Sequence, residues 1–125
     1  MITPTITSHW FDLKRQHVVG YFGMKAGDTY LQNEDGAGLG TKVQWPTEVK
    51  TNRSLLSIVN NLALTNSNGS FTPCKIIFYY QGASVGVPGN NDPYMLLADI
   101  SGTPLADNTD LSARMIVFYA VFPKF

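Results

Sequence analysis

The clearest pattern of hydrophobic and polar positions is an apolar run over residues 113–122, with the sequence A-R-M-I-V-F-Y-A-V-F. Both alternating sets of its side chains are apolar: Met115, Val117, Tyr119 and Val121 form one set, and Ile116, Phe118, Ala120 and Phe122 form the other. Because successive strand residues point to opposite faces of a sheet, such a strand has to be covered on both faces. The pattern predicts a strand that is central in a sandwich or covered by a neighbouring chain.

Shorter runs with the composition of strands precede it, at residues 18–22, 29–32, 42–45, 75–80 and 94–100. They are rich in β-branched and aromatic residues, and turn-forming Gly, Pro, Asn and Asp separate them. We expect the run 29–32 to pair with the run 18–22. The Gly- and Pro-rich residues 82–93 and the polar residues 101–110 are predicted loops.

Residues 54–64 allow two interpretations. Leu55, Ile58, Val59 and Leu62 have helical spacing, and Asn52 or Ser54 could cap a short helix. Alternatively, residues 62–65 and 71–80 form a β-hairpin around the polar turn 66–69.

Seven or eight short strands with almost no helical signal predict an all-β fold, a single-domain antiparallel β-sandwich arranged as a jelly roll. Residues 1–17, with Pro4 and alternating Thr and Ile, are predicted to form an extended N-terminal arm. Residues 18–125 would form the sandwich domain. At 125 residues the chain is long enough for its own core.

The amino-acid composition excludes several classes of function. Charged residues make up 14% of the chain and hydrophobic residues 44%, and nine basic residues balance nine acidic ones. Lys14 and Arg15 are the only adjacent basic pair, so direct nucleic-acid binding is not expected. The sequence suggests no signal peptide and no apolar stretch of about 20 residues that could span a membrane. Cys74 is the single cysteine and forms no disulfide framework.

The motifs that could indicate catalysis or metal binding lack the neighbouring elements or the spacing that these functions require. Residues 82–86 match G-x-S-x-G around Ser84, but no helix can follow, and His9 and His17 precede the serine in the chain. The oxygen-rich residues 90–92 and 107–110 do not have the spacing of a calcium loop. We therefore expect no enzyme activity, no cofactor and no metal site.

The size and layout resemble the small single-jelly-roll vertex (penton) and minor capsid proteins of tailless icosahedral bacteriophages. The resemblance rests on residues 18–22, the turn at residues 26 and 27, and the apolar strand from Met115. It implies a virion structural protein, made in the host cytoplasm, that forms a homo-oligomer, such as a pentamer, and contacts other shell proteins. The predicted assembly contacts are Trp10, Phe11, Met115, Val117, Tyr119, Val121 and Phe125.

A second hypothesis is a lectin-like, carbohydrate-binding β-sandwich. Its site would lie in the polar loops 33–40, 82–93 and 101–110, where Asn, Asp and an aromatic side chain could hold a sugar. Most aromatic residues are expected in the core, and the remainder could form a stacking platform for sugar rings.

Overall fold

A computed structural model describes residues 1–34, 38, 40–49, 57–65, 71–80, 93–99 and 101–123. The fold is all-β with antiparallel sheets. The strands in chain order are β1 (Thr5–Phe11), β2 (Arg15–Gly23), β3 (Thr29–Tyr30), β4 (Thr41–Lys42), β5 (Ser57–Thr65), β6 (Phe71–Tyr80), β7 (Pro93–Asp99), β8 (Thr109–Asp110) and β9 (Met115–Pro123). Within the described residues, no helix is long and apolar enough to cross a membrane.

Seven strands form one sheet in the order β1-β2-β9-β5-β6-β7-β4, and β3 pairs with β8 in a second, two-stranded sheet. Strand β9 lies between β2 and β5, and its register with β2 pairs Arg15 with Pro123 and Gly23 with Met115. The apolar run is therefore central in the large sheet, as its composition predicts.

The N-terminal segment joins the two edge strands of the large sheet. Ile2 forms an isolated parallel bridge with Val43, directly after β4, while β1 pairs with β2 at the other edge. The Ile2 amide donates to the Lys42 carbonyl at 2.8 Å, and the Gln44 amide donates to the Ile2 carbonyl at 2.9 Å. This bridge closes the sheet around its core and gives the fold its sandwich-like character.

The core lies on one face of β2 and β9, which we call the inner face. Phe22 and Phe118 stack with ring centroids 4.7 Å apart, and Trp45 packs edge-on against Phe118 and Phe122 at 5.5 and 5.2 Å. Other buried members of the same cluster come from both sheets and from segments beside their strands: Ile2, Val18, Tyr30, Val43, Met95, Leu97, Leu111, Ile116 and Ala120.

Several strand predictions are confirmed, and one pairing is wrong. The runs 18–22, 75–80 and 94–100 correspond to β2, β6 and β7. The hairpin interpretation of residues 62–80 is confirmed, because Ala63–Thr65 pair with Phe71–Pro73 across β5 and β6. Strand β3 pairs with β8 and not with β2, since β2 already has β1 and β9 as neighbours.

The segment predicted to be an arm, residues 1–17, contains β1 and the first three residues of β2. Strand β1 pairs with β2 from Thr5 opposite Tyr21 to Phe11 opposite Gln16, with a β-bulge between Ile6 and Ser8. Residues 5–11 are thus extended and paired within the large sheet.

Candidate interaction surface

The opposite side of β1, β2 and β9, which we call the outer face, carries exposed aromatic side chains. Trp10 is 43% exposed and Tyr119 is 37% exposed. Val117 and Met115, from the same alternating set of β9 as Tyr119, are half-buried. Large apolar side chains are therefore partly open to solvent in the middle of the sheet, where β9 has strands on both sides.

Three aromatic rings are ordered against one another on this face. Trp10 and His17 are cross-strand partners, and their ring centroids lie 5.0 Å apart with planes 4° from parallel. Tyr119 lies 6.1 Å from Trp10 and 5.9 Å from His17, with planes within 11° of parallel. We call Trp10, His17 and Tyr119 the aromatic cluster.

Hydrogen bonds fix the cluster. His17 Nδ1 lies 2.6 Å from the Tyr119 hydroxyl, and His17 Nε2 lies 2.7 Å from Asp12 Oδ2. The pKa of Asp12 is lowered to about 2, chiefly by its hydrogen bond with His17, so its carboxylate is ionised and can only accept. His17 Nε2 therefore donates to Asp12, and in the neutral ring Nδ1 accepts a hydrogen bond from the Tyr119 hydroxyl.

The same carboxylate organises the turn between β1 and β2. Asp12 Oδ1 accepts the amides of Lys14 and Arg15, both at 2.8 Å, and the Asp12 amide donates to the Arg15 carbonyl at 3.0 Å. Leu13 stands at the apex of this turn and is 89% exposed. An open cavity of about 330 Å³ is lined by residues 12–15.

On the inner side of the same hairpin, Phe11 is 45% exposed and contacts His9, with ring centroids 5.0 Å apart. His9 Nε2 bonds the Oε1 atom of the buried Gln16 at 2.8 Å. His9 pairs with Val18 and His17 with Trp10, so the two histidines lie on opposite faces of the sheet. They cannot serve one site together.

The structure brings together some of the predicted contact residues. Trp10, Tyr119, Val117 and Met115 share the outer face, and Phe11 lies at its edge with its ring toward the inner side. Val121 belongs to the same alternating set but is 7% exposed, so it offers little contact area. Phe125 lies outside the described residues.

The sequence interpretation missed the roles of Asp12 and His17 in this surface and the exposure of Leu13 at the adjoining hairpin apex. Asp12 could have been recognised as a turn former, since Asp side chains accept amides two and three residues ahead. The partnership of His17 with Tyr119 joins residues 102 positions apart, and no local pattern indicates it.

The predicted loop sites have ordinary structural roles where they are described. Asp107 Oδ1 accepts the Gln32 amide at 2.8 Å, and Asp110 Oδ1 accepts the Ser112 amide at 2.9 Å. Across the part of the chain that the structure describes, no three His, Cys, Asp or Glu residues are grouped as metal ligands. Residues 82–92, with Ser84, and most of the loop 35–39 lie outside that part.

Fold and surface together define an all-β, antiparallel, sandwich-like domain with an aromatic cluster on the outer face of β1, β2 and β9. No protein-family model matches the chain, and no curated protein or solved structure matches it.

Proposed function

We propose that this protein is a virion structural protein, a capsid vertex or minor shell subunit that acts through contacts between subunits. The observation that supports this most is the outer face, where Trp10 on the edge strand β1 and Val117 and Tyr119 on the central strand β9 leave apolar area open to solvent. A single exposed apolar residue needs no explanation, but a group of neighbouring ones is typical of interaction sites.

The aromatic cluster has the properties of an interface anchor. Trp and Tyr are enriched among the interface residues that contribute most of the binding energy. Both side chains combine a large apolar area with a polar atom. The bonds from Asp12 through His17 to Tyr119 hold the rings in place before contact. Binding therefore costs less side-chain entropy than it would for free side chains.

A closed ring of copies would repeat this contact by symmetry. The low charge content, 14%, is consistent with a surface that is covered by neighbouring subunits in an assembly. A jelly-roll topology and a fivefold arrangement belong to the same proposal, because they follow from the resemblance to vertex proteins.

The test is the mass of the purified chain by light scattering over a range of concentrations. We expect a pentamer or another closed ring. Val117→Lys, which places a charge on the outer face at a half-buried position, should shift the mass toward the monomer. Leu13→Ser is the control, because Leu13 is 89% exposed at the hairpin apex, off this face, and it should leave the mass unchanged.

Circular dichroism of each variant verifies that the sheet is intact. A wild-type chain that is monomeric at every concentration, or a mass that Val117→Lys leaves unchanged, would contradict self-assembly through this face. Deletion of residues 1–17 is a poor substitute, because it removes β1 and the start of β2 as well as Trp10.

Carbohydrate binding is a second candidate that one observation favours. The exposed ring of Trp10 stacks on His17, and Asp12, the partner of His17, has a side chain that is 50% exposed and could accept sugar hydroxyls. A glycan array would test it. Sugar binding that Trp10→Ala abolishes and Val117→Lys preserves would favour this function over assembly, and an array without any signal would contradict it.

A further inference from the structure

We propose that the hairpin tip, residues 11–15 between β1 and β2, inserts into the surface of an anionic lipid bilayer. This surface shares Trp10 with the outer face but differs from it otherwise, because its leading residue is Leu13 and its charges are those of Lys14 and Arg15. The inference does not depend on the proposed shell function.

The tip exposes the large apolar side chain of Leu13 to solvent. Leu13 is 89% exposed, the highest value among the large hydrophobic side chains of the described residues. Its backbone is fixed by the bonds of Asp12 to the amides of Lys14 and Arg15. Because these bonds hold the backbone of the turn, little backbone ordering is needed when Leu13 meets a partner.

The neighbouring residues form successive levels below the apex. Phe11 pairs with Gln16 one level down the hairpin, and Trp10 pairs with His17 at the next level. A strand rises by about 3.3 Å per residue, so these exposed rings lie within roughly 10 Å of the apex. Apolar surfaces of interfacial proteins enter a bilayer by about 5–10 Å, and Trp favours the headgroup level.

The charge of the tip selects anionic lipid. Lys14 and Arg15 are the only adjacent basic pair of the chain, and both are exposed. Asp12 is the single acid of the tip, and its two oxygens are already bound by His17 and by two backbone amides. Two long cationic side chains beside Leu13 can reach lipid phosphates while the apolar apex enters the acyl boundary.

A projecting apex also fits lipid better than it fits a folded protein. Leu13 is 89% exposed at the apex, and a bilayer can deform around such a side chain, whereas a protein partner would need a pocket shaped to it. An aliphatic apex, aromatic rings below it and flanking cations together are typical of interfacial membrane contacts.

The experiment is co-sedimentation of the intact chain with vesicles of phosphatidylcholine, with and without phosphatidylserine. We expect binding that depends on phosphatidylserine and weakens with salt. Leu13→Ser should reduce the partition coefficient between vesicle and water about tenfold. It removes an apolar side chain, and the free energy gained by burying a leucine side chain corresponds to a change of about that size. Lys14→Glu with Arg15→Glu should abolish the preference for phosphatidylserine. Neither change touches a buried residue, so both variants should fold.

Met24→Ser is the matched control. Met24 is 48% exposed and follows the far end of β2 from the hairpin tip, so its substitution should leave binding unchanged. Quenching of tryptophan fluorescence by brominated lipid measures how deeply the tip enters the bilayer. Trp10 and Trp45 are the two tryptophans, and only Trp10 is exposed, so Trp10→Phe should remove the quenching.

Failure of the wild-type chain to bind either vesicle would overturn the proposal, as would equal losses for Met24→Ser and Leu13→Ser. If Leu13→Ser lowers the oligomer mass and no vesicle is bound, the tip is a protein contact and the lipid proposal is wrong. The shell proposal is tested separately by Val117→Lys, so the two can fail independently.

Discussion

At the scale of single residues, Asp12 has the largest organising role in the candidate surface. One of its oxygens closes the turn through two backbone amides, and the other orients His17 and, through it, Tyr119. The local order of both the hairpin tip and the aromatic cluster therefore depends on one exposed carboxylate.

The bonds of Asp12 predict a pH dependence. Its pKa is lowered from 3.8 to about 2, so the ionised form stabilises the fold above pH 3.8 and this contribution disappears as the pH falls to about 2. Asp12→Asn should lower the denaturant midpoint at neutral pH and flatten its decline in this range. The measurement is urea unfolding of both proteins over the acid range.

Asp99 and Asp110 also have lowered pKa values, because each accepts hydrogen bonds from nearby serines and backbone amides, so the wild-type chain loses stability for several reasons in acid. The difference between the wild-type chain and Asp12→Asn isolates the role of Asp12. Parallel curves for the two proteins would show that the bonds of Asp12 contribute nothing to folding.

At the scale of elements, β9 has one core face and one half-open face. Ile116, Phe118, Ala120 and Phe122 are at most 1% exposed, whereas Tyr119 is 37% exposed. Period-two alternation places neighbouring residues on these two faces. Adjacent positions of one strand should therefore respond very differently to truncation.

Phe118→Ala should cost about 3–5 kcal/mol of unfolding free energy, because it leaves a cavity between Phe22 and Trp45. Tyr119→Ala should cost about 1 kcal/mol, since it loses ring contacts and one hydrogen bond near solvent. Urea unfolding measures both. Comparable losses would mean that the outer face is packed as tightly as the core.

The strands that a sequence pattern can predict are the long ones with apolar residues. The central position of β9 and the existence of β2, β6 and β7 follow from their composition. The partner of β3 does not, because two residues, Thr29 and Tyr30, carry too little pattern to select a neighbour. Cover on both faces of β9 was expected, yet the chain itself covers only the inner face fully.

The face of the sheet on which Trp10 lies could not be predicted from simple alternation along the strand. Ile6 pairs with Gly20 on the inner side, and strict alternation would place residue 10 on that side too. The bulge between Ile6 and Ser8 shifts the register, so Trp10 pairs with His17 on the outer face. The candidate surface depends on this β-bulge, and the local sequence T-I-T-S does not predict a bulge.

At the scale of the whole molecule, the bridge between Ile2 and Val43 connects the two edges of the large sheet. Ile2 is 1% exposed and belongs to the same core cluster as Val18 and Leu97. The N-terminal segment is therefore part of the packing that holds β4 and β7 against β2 and β9.

Ile2→Ala should destabilise the fold by about 2–5 kcal/mol, because it empties a site at the junction of the two edges. Thr7→Ala is the control, since Thr7 is exposed on β1 and makes one side-chain bond, to the Val19 carbonyl. It should cost less than about 1 kcal/mol. Thermal unfolding of the two variants measures the difference, and equal midpoints would argue against the closing role of Ile2.

The central place of β9 has a consequence for how the chain acquires its structure. The hairpin of β1 and β2 meets β5 only through β9, and the register joins Arg15 to Pro123 and Ser57 to Val121. Until residues 115–123 have been synthesised, β2 has β1 as a neighbour but lacks its second one, and Phe22 lacks the Phe118 ring that stacks on it. Such distant pairings make folding slow, on the scale of milliseconds to seconds, and leave the early hairpin exposed to aggregation. Newly made chains should therefore depend on chaperones until the last strand enters the sheet.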